Sequence, residues 1–387
     1  MTGAFDHLQA QLQLLQERGL YRQRRVLESA QGVEVRMEGR RLLNFSSNDY
    51  LGLANHPQVV QAAIKGMQRY GVGSGSAHLL CGHSHAHHAL EEELADFTGR
   101  DRALLFSTGY MANLGVITAL LGKGDAVFED RLNHASLLDG GLYSGARFKR
   151  YPHGDSEALT VSLEKTPAEN RLIVSDGVFS MDGDLAPLPE LARVAAGNQA
   201  WLMVDDAHGL GVLGDKGSGS CDHFGLTQRD APVLMATLGK AFGTFGAFVA
   251  GSEELIETLI QKARTYIYTT AMPASLAEAG RMALRLVMAD DWRRDRLAAL
   301  TQRFTEGARQ LGLQLPDSRS AIHVVVLGDS QRAVSTSEAL LHRGIVVGAI
   351  RPPTVPTGTA RLRITFSAEH RFEHVDRLLD ALEKILL

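Results

Sequence analysis

The sequence lacks the features that would place it in a membrane or outside the cell. It has only two cysteines, Cys81 and Cys221, among 387 residues. A secreted chain of this size could carry one disulfide, but two free thiols in a reducing cytosol are the simpler interpretation, so we expect a cytoplasmic protein. No apolar run approaches the roughly 20 residues that cross a bilayer. The polar, glutamine-rich start, residues 1–19, does not resemble a signal peptide.

No charge of one sign dominates the chain. Forty Lys and Arg residues oppose 44 Asp and Glu residues, which leaves a net charge of −4. This balance lacks the positive charge that nucleic-acid-binding proteins carry, so we expect neither a nucleic-acid nor a membrane partner. Aromatic residues make up only 6%, whereas the hydrophobic 44% and the charged 22% are ordinary for a globular protein. The composition therefore excludes a mainly disordered, collagen-like or coiled-coil chain.

Short apolar segments alternate with helical patterns between about residues 100 and 250. The clearest strand is Trp201–Val204, which is followed directly by Asp205. Such alternation is typical of a mostly parallel sheet that helices cover on both faces. Ligands of these sheets bind at the carboxyl ends of the strands, so the residues just after each strand are the candidates for function.

The pattern changes in the last quarter of the chain. A long helical stretch from Pro273 to about Leu311 is interrupted near Asp290, and a second strand–helix pattern follows Pro316. We predict three parts: an N-terminal segment, 1–60, that packs on the small domain; a large domain, 61–290; and a small α/β C-terminal domain, 291–387.

Two motifs resemble ligand sites but have an unsuitable context. Gly209–Gly214 fits G-x-G-x-x-G, yet no helix pattern follows it, so a nicotinamide-dependent oxidoreductase is only a distant alternative. The segment 81–88 holds one cysteine and four histidines, and His83 and His87, four residues apart, could bring two imidazoles to one metal. A loop that leads into a helix capped near Ser84 is the simpler interpretation, and we expect no metal site.

Polar residues at several strand ends together match the needs of pyridoxal phosphate (PLP) chemistry. Such an enzyme needs a lysine for the aldehyde, a carboxylate for the pyridine nitrogen, backbone donors for the phosphate and a flat group over the ring. Lys240 follows a strand and lies between glycines, a small apolar setting that should lower its pKa. Asp205 ends its strand, and 107–113 opens a helix whose amides could bind phosphate. Each residue alone is also compatible with a surface lysine, a turn aspartate or an ordinary helix cap.

Four segments taken together resemble the α-oxoamine synthases, which are fold-type I PLP enzymes. The segments are Asn44–Leu53, Phe179–Asp184, Asp205–Gly209 and Thr237–Lys240, and the resemblance extends from about residue 20 to the end. Enzymes of this family condense an amino acid with an acyl thioester and release carbon dioxide. The resemblance implies a large domain with a mostly parallel sheet flanked by helices, a smaller α/β C-terminal domain, a PLP cofactor and a homodimer.

The resemblance also implies roles for residues around the cofactor. It makes Lys240 the Schiff-base lysine and the acid and base at the substrate α-carbon, and Asp205 the partner of the pyridine nitrogen. His134 would stack on the ring. The remaining cofactor contacts are the backbone of Gly109 and Tyr110 with the Thr237 hydroxyl at the phosphate, and Ser180 and His208 near the phenolic oxygen.

The substrates follow from the same resemblance. The segment Ile350–Arg363 is most similar to the family member that joins L-alanine to a pimeloyl thioester of coenzyme A or acyl carrier protein. A glycine-using member, such as glycine C-acetyltransferase or 5-aminolevulinate synthase, stays an alternative. Arg22 and Thr354 match substrate-contacting positions. Arg361 is a candidate for the amino-acid carboxylate, because a planar bidentate donor suits that group, and Arg351 is a second candidate.

One segment departs from the family pattern. The glycine-rich stretch, which usually has two adjacent glycines, here has the sequence Gly73-Ser-Gly-Ser-Ala-His78, with His78 where many relatives have arginine. In relatives this stretch lies near the cofactor across the dimer interface. The departure concerns local acyl-chain or phosphate contacts and not the class of reaction.

Overall fold

The structure is a computed structural model that describes residues 3–387, so the first two residues of the predicted N-terminal segment lie outside the described residues. The chain divides into two compact units. The smaller unit consists of Met1–Tyr50, Met181–Gly183 and Asp295–Leu387, and the larger consists of Leu51–Ser180 and Asp184–Arg294. This division into units does not test the domain limits predicted at residues 60 and 290, which stay predictions.

Thirteen strands are distributed over three sheets in the described residues. In chain order they are β1 (Glu34–Met37), β2 (Arg40–Asn44), β3 (Arg102–Phe106), β4 (Ala126–Asp130), β5 (Arg147–Tyr151), β6 (Arg171–Asp176), β7 (Trp201–Asp205), β8 (Val233–Thr237), β9 (Ala247–Gly251), β10 (Ile322–Gly328), β11 (Ile345–Val346), β12 (Gly348–Ile350) and β13 (Ala360–Thr365).

Fourteen α-helices and one short π-helix, His78–Gly82, complete the described elements. The α-helices are α1 (Asp6–Glu17), α2 (Pro57–Tyr70), α3 (His85–Thr98), α4 (Gly109–Leu120), α5 (Ala135–Tyr143), α6 (Ser156–Glu164), α7 (Leu188–Gly197), α8 (Ser220–His223), α9 (Glu253–Lys262), α10 (Arg264–Ile267), α11 (Ala274–Ala289), α12 (Asp291–Gln310), α13 (Ser330–His342) and α14 (Phe372–Leu386). None of the helices within 3–387 is long and apolar enough to span a bilayer.

The larger unit is built on a seven-stranded sheet with the order β3-β9-β8-β7-β6-β4-β5. All neighbouring pairs from β8 to β5 are parallel, and only β9 runs antiparallel to its two neighbours. Successive residues of β7 serve different cores: Met203 packs in one apolar cluster and Leu202 in another. Both faces of the sheet are therefore covered, as predicted for a mostly parallel sheet. The parallel pairing also brings the carboxyl ends of β6 and β7 together, with Asp176 opposite Asp205.

The smaller unit contains two three-stranded sheets, β1-β2-β11 and β10-β13-β12. Strand β2 pairs in parallel with β11, so residues 40–44 share a sheet with residues 345–346. β11 and β12 follow each other closely in the chain but belong to different sheets. Both cysteines, which lie in the larger unit, are free thiols. Cys81 is exposed and Cys221 is buried.

Candidate active site

Lys240 lies in the tight loop that joins β8 to the antiparallel β9. The Thr237 hydroxyl donates to the Gly246 carbonyl at 2.9 Å and accepts the Gly239 amide at 3.2 Å, which braces the two ends of the loop. The loop closes with the Gly243 amide on the Lys240 carbonyl at 2.8 Å. A side chain at Gly243, whose φ is +64°, would collide with the backbone of Leu53 and Ala54. The loop therefore holds Lys240 in one place.

The Lys240 amine has a histidine partner in the larger unit. Its Nζ lies 2.9 Å from Nε2 of His208, which follows β7 and is buried. Two of the residues predicted to contact the cofactor, Lys240 and His208, thus lie side by side. Because an imidazole can both accept and donate a proton near neutral pH, His208 can exchange a proton with the amine.

Asp205 is a buried carboxylate at the carboxyl end of β7, with 3% of its surface exposed. Its Oδ1 accepts the Ala207 amide at 3.0 Å, and its Oδ2 accepts the side-chain nitrogen of Asn113 at 2.7 Å. These two donors fix the orientation of the carboxylate. The next residue, Asp206, turns to a different environment and accepts the Ser220 amide at 2.7 Å.

A chain of buried side chains connects Asp205 to His134. The Asn113 nitrogen donates to Asp205 and also to Ser136 Oγ at 2.8 Å. Since Ser136 Oγ accepts that bond, its own proton goes to His134 Nδ1, which lies 2.7 Å away. His134 Nδ1 also accepts the Ser136 amide at 3.3 Å and so caps α5. The neutral ring of His134 therefore carries its proton on Nε2.

The pKa shifts of His134 and Asp176 show that both residues lie close enough to Asp205 and Lys240 to feel their charges. Burial lowers the pKa of His134, and the positive charge of Lys240 lowers it further against the opposing effect of Asp205. Burial raises the pKa of Asp176 well above its ordinary value, and the negative charge of Asp205 adds to the rise. Asp176 Oδ2 accepts the His134 amide at 2.7 Å, so this second carboxylate fixes the start of α5.

The amino end of α4 offers backbone donors at the same edge of the sheet. Thr108 caps the helix by accepting the Met111 amide at 3.2 Å. The amides of Gly109 and Tyr110, in the first turn, have no acceptor within the helix. Such amides and the helix dipole favour a phosphate group. The Tyr110 hydroxyl itself is bonded to Asp139.

These residues fit PLP. Lys240 would supply the amine, Asp205 the buried carboxylate for a ring N–H, His134 a neutral flat ring, and the start of α4 the phosphate donors. Oδ1 of Asn113 is among the buried side-chain atoms of the described residues that have no hydrogen-bond partner. A buried amide oxygen of this kind can accept one further donor. Ser180, which has polar interactions of its own, lies in the same unit.

The predicted substrate residues lie in the smaller unit. Arg22 donates from Nη2 to Thr354 Oγ1 at 3.3 Å, so these two positions, 332 residues apart, are brought together. Arg351 donates to the Tyr21 carbonyl at 2.5 Å. The three residues form one local group around the chain segment that carries Arg22.

Arg361 lies on β13, is buried, and already has protein partners. It donates to the carbonyls of Thr359 at 2.9 Å and Met181 at 3.2 Å, and it forms an ion pair with Asp182. A substrate carboxylate at Arg361 would compete with Asp182 for the same guanidinium group. The prediction that Arg361 binds that carboxylate stays a prediction.

The G-x-G-x-x-G motif at 209–214 has a packing explanation. A Cβ at Gly209 would collide with the carboxylate of Asp206. Gly211 and Gly214 both have φ of +82°, a left-handed conformation that favours glycine. The segment forms turns before the short helix α8 and contains no helix of its own. The motif accommodates a buried carboxylate and does not begin a dinucleotide-binding helix.

Comparison with known proteins identifies the family. The family model "Aminotransferase class I and II" matches residues 40–382. A curated 8-amino-7-oxononanoate synthase from Nitrosococcus oceani is 63% identical over 376 residues, 97% of this chain and 100% of that protein. Among solved structures, a serine palmitoyltransferase from S. paucimobilis with PLP and myriocin bound has a TM-score of 0.93 and 33% identity, covering 98% of this chain and 97% of that one. An 8-amino-7-oxononanoate synthase from Francisella tularensis has a TM-score of 0.78 and 32% identity, covering 89% and 97%.

The chain belongs to the aminotransferase class I and II family. It has the fold of the fold-type I PLP-dependent enzymes, and the predicted fold class, PLP cofactor and acyltransferase class are confirmed. The similarity to the α-oxoamine synthases is confirmed as well, and the curated relatives at 60–63% identity share one name, 8-amino-7-oxononanoate synthase.

Proposed function

We propose that the chain condenses L-alanine with a pimeloyl thioester to give 8-amino-7-oxononanoate, carbon dioxide and the free thiol of the carrier, a step of biotin biosynthesis. The Lys240–His208 pair, in one electrostatic environment with the buried Asp205, carries the proposal. The 63% identity to curated synthases of that name supports this choice within the family.

Lys240 performs the proton transfers at the substrate α-carbon. When bound, PLP supplies an electron sink for the electron pair left on that carbon. Lys240 would hold the cofactor aldehyde through its Nζ. The Lys240 amine would take the α-proton of the substrate, and His208, 2.9 Å away, would keep the amine oriented and exchange protons with it.

Asp205 and His134 prepare the site for this transfer. The Asp205 carboxylate keeps a ring nitrogen protonated, because a buried negative charge favours the protonated form of its partner. Asn113 and the Ala207 amide hold that carboxylate in place. His134 stays neutral because burial and Lys240 lower its pKa, so it can cover an aromatic ring without adding a second positive charge.

The substrate assignment has a direct test. The purified, PLP-loaded enzyme is incubated with a pimeloyl thioester and either L-alanine, glycine or L-serine, and the products are measured by mass spectrometry. We expect 8-amino-7-oxononanoate from L-alanine, with turnover about tenfold or more above that with glycine, since one methyl group in a fitted pocket has this effect. Faster turnover with glycine or L-serine would assign the chain to another α-oxoamine synthase reaction. Thioesters of coenzyme A and acyl carrier protein, compared at equal concentration, identify the carrier.

We also propose that the chain forms a homodimer with shared active sites and that this homodimer acts in the cytoplasm. The glycine-rich segment 71–82 exposes apolar side chains that a second copy would cover: Val72 is 77% exposed and Leu80 is 82% exposed. The test mixes chains carrying Lys240→Ala with chains carrying Ser76→Trp. Mixed dimers should recover part of the activity, because one of their two sites is built from undamaged pieces. A fully active monomer at micromolar concentration, or exchange of chains without rescue, would contradict the shared site.

A further inference from the structure

Three potential metal ligands converge at the start of α3, in residues that the proposed reaction does not use. His83, His88 and Glu91, here called the α3 triad, each offer one ligand atom, and these atoms lie within 4.8 Å of one another. His88 and Glu91 are three residues apart on one helix face, and His83 lies just before the helix. The spacing along the sequence pairs His83 with His87 instead, four residues apart, without a metal expected there.

His83 is oriented as a ligand by its second nitrogen. Its Nδ1 shares a hydrogen bond of 2.9 Å with Nδ1 of His78, which leaves Nε2 facing Glu91 Oε2 at 3.8 Å. Metal-binding histidines characteristically have the other ring nitrogen hydrogen-bonded, which fixes the ring and the tautomer. The ring of His78 is itself held by stacking on Tyr266, with centroids 5.0 Å apart.

Glu91 is a mostly buried carboxylate that forms no ion pair with a lysine or arginine among the described residues. Only 12% of its side chain is exposed, and within residues 3–387 its one ion-pair contact is His83. Its Oε1 accepts the Leu105 amide at 2.9 Å. The nearby Arg102 pairs instead with Glu253 and Glu257. A buried carboxylate normally has a cation or a full set of donors, so Oε2 is suited to a metal ion.

His87 is excluded as a ligand because both of its ring nitrogens are engaged. Nε2 must donate to the Met272 carbonyl, 2.7 Å away, since a carbonyl only accepts. Nδ1 therefore accepts the Ser84 amide at 3.0 Å and completes the capping box of α3. A metal on His87 would break this helix cap. The alternative cluster of His78, His83 and His87 is thus less suitable than the α3 triad.

We propose that the α3 triad binds one divalent first-row metal ion, with Zn²⁺ as the preferred ion, and that the ion ties the segment before α3 to the helix. Two imidazoles and one carboxylate form a donor set that Zn²⁺ favours, with a fourth position left for water. Zinc bonds of about 2.0–2.2 Å require the three ligand atoms to approach by modest side-chain rotations. His88 has 61% of its side chain exposed, and its Nε2 lies 3.4 Å from Oε1 of the exposed Glu92, a surface contact that the ion would replace on entering from solvent. This proposal is independent of the proposed function.

The test uses the PLP-loaded enzyme after treatment with a chelator. Zn²⁺ is titrated in competition with a chromophoric chelator, and Co²⁺ is added separately to record its visible absorption. We expect one ion per chain and intense Co²⁺ bands of a four-coordinate site. His88→Gln and Glu91→Gln should weaken binding roughly tenfold or more. His85→Gln is the matched control, because His85 is an exposed histidine of the same helix turn outside the triad.

Two results would overturn the proposal. One is equal Zn²⁺ affinity for wild type, His85→Gln and His88→Gln, which would mean that scattered surface histidines bind the ion. The other is a Co²⁺ spectrum as weak as that of the aqueous ion. His88 is exposed, so His88→Gln keeps the fold even if a change at the buried Glu91 does not, and circular dichroism verifies this point.

Discussion

Asn113 donates from its side-chain nitrogen to Asp205 Oδ2 at 2.7 Å, and the same nitrogen also donates to Ser136 Oγ at 2.8 Å. One buried amide thus orients both the carboxylate and, through Ser136, the ring of His134. Asn113 thus orients two residues that we propose to contact the cofactor, and its removal should disturb both together.

The first prediction concerns this amide. Asn113→Ala should lower kcat about 10- to 100-fold, which is the usual effect of removing a partner that orients a functional group. The variant should also shift the pH at which the visible spectrum of the PLP-loaded enzyme changes, because Asp205 and His134 lose a shared donor. Asn198→Ala, which removes a side-chain hydrogen bond to Val194 far from the site, should change neither quantity. An unchanged spectral titration in Asn113→Ala would assign Asn113 a purely structural role.

The second prediction compares two adjacent carboxylates. Asp205→Asn should lower kcat roughly 100- to 1,000-fold, since an amide cannot supply the charge that keeps a ring nitrogen protonated. Asp206→Asn should keep most turnover, because Asp206 accepts the Ser220 amide and serves the local packing. The free energy of unfolding of Asp206→Asn should differ from that of the wild type instead, since burial raises the pKa of Asp206 to about 7. Steady-state kinetics of both variants decide, and similar losses of kcat would contradict the assignment.

The third prediction concerns covalent attachment of the cofactor. Borohydride reduction should fix PLP to one lysine per chain in the wild type and to none in Lys240→Ala, and mass spectrometry of peptides locates the label. Lys240→Ala should retain the fold, because the hydrogen bonds of Thr237 and of the loop backbone that hold this segment do not involve the lysine side chain. Lys262→Ala, an exposed lysine of α9, is the control and should label fully. Full labelling of Lys240→Ala would move the anchor to another lysine.

The fourth prediction is a pH dependence of stability. His153 lies between two carboxylates, with Nδ1 3.1 Å from Asp130 Oδ1 and Nε2 2.8 Å from Asp184 Oδ2. Their hydrogen bonds raise its pKa from 6.5 to about 10 in the folded protein. The stabilisation is therefore complete below about pH 6.5 and is lost as the pH rises through about 10.

His153→Gln should accordingly cost about 1–2 kcal/mol of unfolding free energy at pH 6, a value reduced for solvent screening of a partly exposed group. At pH 10.5 the difference from wild type should nearly vanish. Thermal melting of both proteins at the two pH values measures it, with the exposed His223→Gln as control. A difference that stays constant over this range would mean that His153 is not charged.

The parallel sheet was predictable because its strands are short apolar runs between helical patterns. Trp201–Val204 was predicted as a strand, and β7 extends it only to Asp205. The hairpin of β1 and β2 was not predicted, since β2 begins with the two exposed arginines Arg40 and Arg41, and no apolar alternation marks it. The pairing of β2 with β11 joins residues about 300 positions apart, and no pattern of neighbouring residues in the sequence can indicate such a pairing.

Most site residues at strand ends could be predicted, whereas those inside helices and one further strand-end carboxylate were missed. Lys240, Asp205 and His208 follow strands, and the topology of parallel sheets brings such positions to one edge. Asn113 lies in an apolar helix, Ser136 in the first turn of the next, and Asp176 at the end of β6, and their contacts depend on the tertiary fold. The one local signal was a polar Asn113 amid apolar neighbours, which is often a buried hydrogen-bonding residue.

The contact between Gly209 and the Asp206 carboxylate should make the residues accepted at these two positions depend on each other. A Cβ at 209 would collide with that carboxylate, and Gly209, unlike Gly211, does not have a left-handed φ. Its restriction therefore comes from one neighbour and not from its own backbone. When both codons are randomised together and active clones are sequenced, alanine at 209 should be recovered only with a smaller residue, such as serine or alanine, at 206. The glycine at 209, which looks like part of a nucleotide-binding motif, is thus required because of epistasis between this position and Asp206.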